Sequence, residues 1–132
     1  MVGIDLGERW IGVAVSDSAR RVATPREVIE RSGDPLVDRA RLRGMVEEVG
    51  AAVVVVGLPL SLDGGRGPAA RAALAEVGEL TAALEVRVET FDERLSTAAA
   101  ARGAAGSRRS SRGRLDAAAA AVVLQAWLDR RR

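Results

Sequence analysis

The sequence predicts an α/β protein with one mixed five-stranded sheet and helices on both of its faces. Two short apolar strand patterns around a glycine turn open the chain, a β-branched run lies near its middle, and helical patterns separate the later strands. Strands joined by short turns indicate antiparallel pairing, whereas strands separated by helices indicate parallel pairing. With 132 residues and no internal repeat or linker, residues 1–132 are expected to form a single domain.

The first three strands are predicted from short apolar runs. Val2–Leu6 and Trp10–Ser16 flank a turn at residues 7–9, and alternating apolar side chains indicate that the second strand is half-buried. A third strand is expected over Val22–Ile29, where Pro25 favours the edge of the sheet. These strands should form an antiparallel meander.

The middle of the chain combines a helix with a buried strand. Asp34 before Pro35 predicts the start of the helix, and Gly50 predicts its end. The following run, Ala51–Val56, is continuously apolar, which is typical of a strand buried on both faces. The predicted apolar stripe of the helix comprises Leu36, Val37, Ala40, Met45, Val46 and Val49.

The second half continues the alternation of strands and helices. A glycine-rich loop leaves the buried strand, and loops at such strand ends commonly build sites in α/β folds. A helix capped by Ser96 or Thr97 is expected within the alanine-rich segment that follows the last strand. The other predicted bounds are Gly57–Gly67 for the loop, Pro68–Leu84 for a helix, Val86–Phe91 for a strand and Leu115–Arg130 for the final helix.

The composition excludes several kinds of chemistry. The chain has no cysteine, histidine, tyrosine or lysine, which rules out disulfides, Ser-His-Asp triads, histidine or thiolate zinc sites, tyrosine nucleophiles and the P-loop lysine. Any catalysis must use Asp, Glu, Ser, Thr, Arg or a bound metal ion. No apolar run is long enough to span a membrane, and a strand that begins at Val2 leaves no room for a signal peptide, so a cytoplasmic protein is expected.

The basic residues are clustered although the formal net charge is only +2. Arginine forms bidentate contacts with phosphate, so an arginine cluster without acids favours a nucleic-acid contact. The alternative is a solvated loop, which is the commoner role of charge runs. The cluster comprises Arg102, Arg108, Arg109, Arg112 and Arg114.

Carboxylates occupy unusual positions in three predicted elements. Asp5 lies inside an apolar strand, Asp92 and Glu93 end another strand, and Asp116 lies on the apolar stripe of the final helix, in its first turn. A helix cap is the alternative role for Asp116. Clustered carboxylates repel one another unless a cation or a shared proton compensates, and oxygen ligands favour Mg²⁺ or Mn²⁺. Two such ions can cleave a phosphodiester without histidine or lysine.

Four segments resemble the YqgF/RuvX family in order and spacing: VGIDLG with IGVAVSD, VVVVGLPLSLDG, FDERLST and LDAAAAAVVLQAWL. The resemblance implies a ribonuclease H-like fold of the RuvC type and a metal-dependent nuclease. Family members are described as Holliday junction resolvases or as nucleases that mature the 5′ end of the small-subunit ribosomal RNA precursor. It also implies that Asp5, Glu93 and Asp116 are the catalytic, metal-binding acids.

RuvC-type sites often contain a fourth acid. Asp92 is the first candidate here and Asp63 the second, while Ser61 and Asp63 are candidate contacts of the glycine-rich loop. Both loop residues are also common turn formers.

Two other functions compete with a nuclease that acts on structured RNA or a four-way DNA junction. One is a non-catalytic module that binds RNA or the ribosome. The other is an ATP-handling protein of the actin and sugar-kinase superfamily, although that chemistry needs two lobes and this chain has one. The sequence leaves monomer and homodimer open; a four-way junction requires a two-fold dimer.

Overall fold

Five strands form one mixed sheet in the order β3-β2-β1-β4-β5. The computed structural model describes residues 1–58, 67–95 and 112–131, without the side chains of residues 69, 94 and 112–116. A 3₁₀ turn over Glu93–Leu95 directly follows the last strand. The other elements are β1 (Val2–Leu6), β2 (Trp10–Ser16), β3 (Ala23–Glu30), α1 (Pro35–Val49), β4 (Val53–Leu58), α2 (Pro68–Ala83), β5 (Arg87–Asp92) and α3 (Arg112–Arg130).

The pairing confirms the predicted mixed sheet. Strands β1, β2 and β3 pair antiparallel, whereas β4 pairs parallel with both β1 and β5. The expected edge position of Pro25 is confirmed, because β3 is an edge strand and its register with β2 shifts beside Pro25. Strand β4 is also buried on both faces, as its β-branched run predicts.

Helices cover both faces of the sheet. Helices α1 and α2 contribute Leu42 and Leu80 to a core that includes Ile4 of β1. Helix α3 contributes Val123, Leu124 and other side chains to a second core on the opposite face. Side chains alternate along each strand, so the two faces of β1 contact different helices.

Helix α1 begins and ends at the predicted signals. The Asp34 carboxylate accepts a hydrogen bond of 3.0 Å from the backbone N–H of Leu36, and Gly50 ends the helix with φ of 70°. The predicted apolar stripe is wrong in the first two turns, because Leu36, Val37 and Ala40 are exposed. Asp38 is buried there instead, where its carboxylate accepts the backbone N–H of Ser32 at 3.0 Å. The buried residues of α1 are Asp38, Leu42, Met45 and Val46.

Several predicted bounds are displaced. Strand β4 starts two residues later than expected and continues to Leu58, and β5 ends at Asp92. Helix α3 begins at Arg112, so Asp116 is its fifth residue and lies in the second turn rather than the first. A cap role for Asp116 is therefore wrong. Arg112 and Arg114 belong to the helix backbone and not to a loop; Ser96 and Thr97 lie outside the described residues.

No helix within the described ranges is long and apolar enough to cross a membrane.

Candidate active site

Asp5 is a buried carboxylate near the end of the central strand β1. It is only 2% exposed and pairs in register with Gly12 of β2 on one side and Gly57 of β4 on the other. Gly3, two residues earlier on the same face, contacts α3, so the alternation of the strand directs Asp5 toward the α3 face as well. The charge of Asp5 thus lies between the sheet and a helix, where burial of a carboxylate is costly unless it is compensated.

Glu93 reaches the same face from the end of β5. It is 4% exposed, and a Cβ added to Gly57 would stand 3.2 Å from its Oε1 and 3.0 Å from Cγ2 of Val123. Gly57 lies in register with both Asp5 and Phe91, and neighbouring strands are about 4.8 Å apart. The Glu93 carboxylate therefore lies over Gly57, one strand away from Asp5. The absence of a side chain at residue 57 makes this approach possible.

Helix α3 runs in the opposite direction to β1. A Cβ at Gly3 would meet Leu124 Cβ at 2.8 Å and the carbonyl oxygen of Ala120 at 3.0 Å. Val123 lies against Gly57, whereas Trp127, one turn later, bonds to Glu89 near the start of β5. Following the helix toward its first residue therefore leads along the sheet toward the carboxyl ends of the parallel strands.

This direction carries residue 116 of the backbone toward the end of β1 that holds Asp5. Asp5 is two strand residues beyond Gly3, about 6.6 Å along β1. Asp116 is four helix residues before Ala120, about 6 Å along α3. Because the two elements run in opposite directions from a shared contact, both steps lead toward the same end of the sheet. The side chain of Asp116 lies outside the described residues.

Asp92 occupies a different position from the other acids. It is half-buried and pairs with Leu58, whose side chain belongs to the core under α1 and α2. Strand alternation therefore directs Asp92 away from the face of Asp5. Among the side chains that the structure describes, no three carboxylates form a group able to hold one metal ion.

The remaining predicted site residues cannot be located in the same detail. Arg112 and Arg114 lie in the first turn of α3, with side chains outside the description. The other five lie wholly outside the described ranges; they are Ser61, Asp63, Arg102, Arg108 and Arg109.

A partly buried ion pair supports the turn that follows Asp5. The Arg31 guanidinium donates two hydrogen bonds to the Glu76 carboxylate, at 2.7 and 2.9 Å, and its Nε donates to the carbonyl oxygen of Gly7 at 2.8 Å. The bonds from Glu76 raise the pKa of Arg31 above its usual value, although burial opposes this effect. The ion pair thus ties α2 to the turn between β1 and β2.

Gly57 is a site residue that sequence reasoning missed. The prediction placed it at the start of a loop, but it is a strand residue whose missing side chain admits Glu93. The available signal was a single glycine at the end of a run of four valines, because an isolated glycine in a strand often marks a close approach.

A known protein family matches almost the whole chain. The family model described as "RuvX: Holliday junction resolvase" matches residues 1–130. A protein of Anaeromyxobacter dehalogenans (strain 2CP-C) named "Putative pre-16S rRNA nuclease" is 46% identical, and the match covers 98% of this chain and 96% of the relative. A protein of Rhizobium meliloti (strain 1021) with the same name is 41% identical, with coverage of 98% and 80%.

Solved structures share the fold at much lower identity. The structure titled "T. thermophilus RuvC in complex with Holliday junction substrate" superposes with a TM-score of 0.61 at 21% identity, covering 99% of this chain and 95% of that chain. Another Thermus thermophilus RuvC structure gives a TM-score of 0.58 at 20% identity, with coverage of 99% and 96%. The predicted ribonuclease H-like sheet is confirmed by this likeness, which concerns the fold alone.

Proposed function

This chain belongs to the RuvX family of nucleases, and from that premise we propose that it cleaves structured nucleic acid with a divalent metal ion held by Asp5, Glu93 and Asp116. The observation that carries the proposal is the meeting of two buried carboxylates, from β1 and from the end of β5, on the sheet face under α3. Burial of two acids from separate elements is costly unless a cation, a shared proton or hydrogen bonds compensate for it, and a divalent cation is the compensation that we propose.

The donor set fits a hard divalent cation. Asp5 and Glu93 supply only carboxylate oxygens, and we propose Asp116 as the third acid because the α3 backbone runs toward the end of β1 that carries Asp5. All-oxygen sites favour Mg²⁺ or Mn²⁺ over softer metals. Such ions, when bound, supply an activated water and stabilise the leaving oxygen of a phosphodiester.

The protein's own part is to hold and orient the substrate. Strand β1 fixes Asp5 in the centre of the sheet, and Gly57 fixes the path of Glu93. Helix α3 begins at this end of the sheet, so the positive end of its dipole favours a phosphate there. Arg112 and Arg114 in the first turn add positive charge at the same end.

We favour the 5′ end of a ribosomal RNA precursor as the substrate. Relatives that are 41–46% identical and aligned along nearly the whole chain carry the pre-16S rRNA nuclease name. The second candidate is a four-way DNA junction, which the description of the matching family supports. Junction resolution requires two symmetric cuts and therefore a two-fold dimer, whereas trimming of an RNA end does not.

The test is cleavage of two labelled substrates, an RNA containing the precursor's 5′ extension and a four-way DNA junction, with Mg²⁺, Mn²⁺ or EDTA. Wild-type protein is compared with Asp5→Asn, Glu93→Gln and the control Glu79→Gln, an exposed acid on α2. We expect metal-dependent cleavage that is lost in the two site variants and retained in the control. If the wild-type protein and all three variants bind the substrates without cleaving them, the proposed nuclease activity is overturned and the non-catalytic RNA-binding alternative is favoured.

A further inference from the structure

A second positively charged surface lies at the other end of the sheet from Asp5 and Glu93. We call it the end groove and define it by Arg20, Arg21, Arg87, Glu89, Trp127 and Arg131. The groove is open and has a volume of about 730 Å³. Four arginines and one glutamate line it, so positive charge is in excess. Neither the arginine cluster that precedes Asp116 nor the candidate active site includes these residues.

Glu89 holds one wall of the end groove in place. Its carboxylate forms ion pairs with Arg87 and, at 3.2 Å, with Arg131, and it accepts the Trp127 indole N–H at 3.0 Å. The Glu89 side chain is 16% exposed, whereas those of Arg87 and Arg131 are 68% and 56% exposed. One carboxylate therefore orients two guanidinium groups that remain accessible.

The opposite wall is the turn between β2 and β3. The Asp17 carboxylate accepts the backbone N–H groups of Arg21 at 2.8 Å and Val22 at 3.1 Å, and Arg20 adopts a left-handed backbone with φ of 57°. This tight turn presents two adjacent, exposed arginines to the groove. The two arginines that supply the positive charge therefore lie in an ordered turn.

A second concavity continues from the end groove along β5, toward the end of the strand that Glu93 follows. It has a volume of about 570 Å³ and follows β5 from Val88 to Phe91, with Arg130 and Arg131 along its side. Arg130 lies over the Phe91 ring, 5.8 Å from its centroid. Arg87 precedes Glu93 by six residues, a distance of about 20 Å along an extended chain. The phosphates of one strand of a DNA duplex are spaced about 3.4 Å along the helix axis, so a duplex lying along this track would cover it with about six nucleotides of that strand.

From these observations, and on the basis of the proposed function, we infer that the end groove binds the phosphate backbone of the same nucleic-acid substrate, about six nucleotides from the cleaved bond. The groove is expected to contact the phosphate groups of the substrate and not its bases. Trp127 is only 8% exposed, and Cζ of Arg131 lies 4.6 Å from the centroid of its ring. This ring is therefore not available for stacking with a nucleic-acid base. Exposed guanidinium groups suit phosphate oxygens, which position a substrate without reading its sequence.

The test measures binding of labelled substrate by anisotropy at several salt concentrations, in the Asp5→Asn background to prevent cleavage. The groove variant is Arg20→Gln with Arg87→Gln. The matched control is Arg41→Gln with Arg43→Gln on α1, on the other face of the sheet; each pair combines an exposed arginine with one held in an ion pair. Thermal melting of each variant verifies that it is folded.

We expect the groove variant to bind at least tenfold more weakly at about 0.1 M salt, with the log–log salt slope reduced by about 2, because two phosphate contacts are lost. The control should bind as the parent does. Arg20→Lys with Arg87→Lys keeps both charges and should restore the slope. A substrate trimmed to fewer than about six nucleotides beside the cut should bind the parent and the groove variant equally.

Three results would overturn the inference: an unchanged salt slope in the groove variant, the same loss in the control, or the same loss on the trimmed substrate. These outcomes are separate from the proposed function. If the wild-type protein binds through the end groove but does not cleave, the proposed nuclease activity is overturned and the inference about the groove still holds. Metal-dependent cleavage by the wild type together with any of these three results would do the reverse, since it would overturn the groove and support the nuclease.

Discussion

The carboxylate of Glu93 occupies the space above Gly57, where a Cβ would stand only 3.2 Å from Oε1. Real side chains rarely come so close, so either Glu93 or the new methyl group would have to move. Gly57 is also in register with Asp5. A single methyl group at residue 57 is therefore a direct probe of whether the two acids work together.

Gly57→Ala should reduce cleavage at least tenfold, since displacement of a catalytic group by a fraction of an ångström lowers the rate strongly. Metal-dependent cleavage under saturating substrate is the measurement. Gly78→Ala on α2 is the control, because nothing lies within 4 Å of a Cβ there. A Gly57→Ala protein with the wild-type rate would show that the position of Glu93 is unimportant for the chemistry.

Gly3→Ala should destabilise the protein by about 1–3 kcal/mol, because the added methyl group would overpack the contact between β1 and α3. The new Cβ would lie 2.8 Å from Leu124 Cβ. Gly44→Ala, on an open face of α1, should instead stabilise by about 0.5–1 kcal/mol, since alanine favours a helix. Urea unfolding compares the three proteins. Equal stabilities would mean that α3 does not rest against Gly3 in solution.

Mn²⁺ or Mg²⁺ should raise the melting temperature of the wild-type protein, because a ligand that binds only the folded state stabilises it by about 2.7 kcal/mol at a hundred times its Kd. Asp5→Asn should respond less to the ion, because it lacks one of the proposed carboxylate ligands. If the ion raises the melting temperature equally in both proteins, it binds at a site that does not include Asp5.

Asp17 predicts a dependence of stability on pH. The backbone N–H groups of Val22 and Arg21 hydrogen-bond its carboxylate and hold its pKa below the ordinary value of 3.8. A lowered pKa in the folded state means that the stabilisation is complete above 3.8 and is lost as the pH falls through the lowered value. Asp17→Asn should therefore be less stable than the wild type near neutral pH, with a difference that shrinks in acid. Urea unfolding across this range is the measurement, and a difference independent of pH would contradict it.

Local signals predicted the bounds of α1 well, because Asp34 and Gly50 act on their own backbone neighbours. The predicted buried stripe failed at Leu36 and Val37, because the surroundings of the first turn, and not the helix period, decide which side is covered. Asp38 is buried there because it satisfies the backbone N–H of Ser32, a contact outside the helix.

The sequence identified candidate acids of the site from two signals, an acid within an apolar strand and the motifs of the resembling family. Asp5 stood out as an acid in an apolar strand, and its burial is observed. The start of α3 was expected three residues too late, because glycine and arginine at residues 112–114 give no clear helix signal. The end groove was not predicted, because it joins Arg20 to Glu89 and Arg131 through contacts that no sequence spacing records.

The contact of Gly3 with Ala120 and Leu124 also determines when the molecule becomes complete during its synthesis. Strand β1 is translated more than a hundred residues before α3. Until α3 docks, this sheet face lacks the layer that α3 supplies. A nascent chain therefore lacks one of the three proposed metal-binding acids while it is still surrounded by the nucleic acid of the ribosome that makes it.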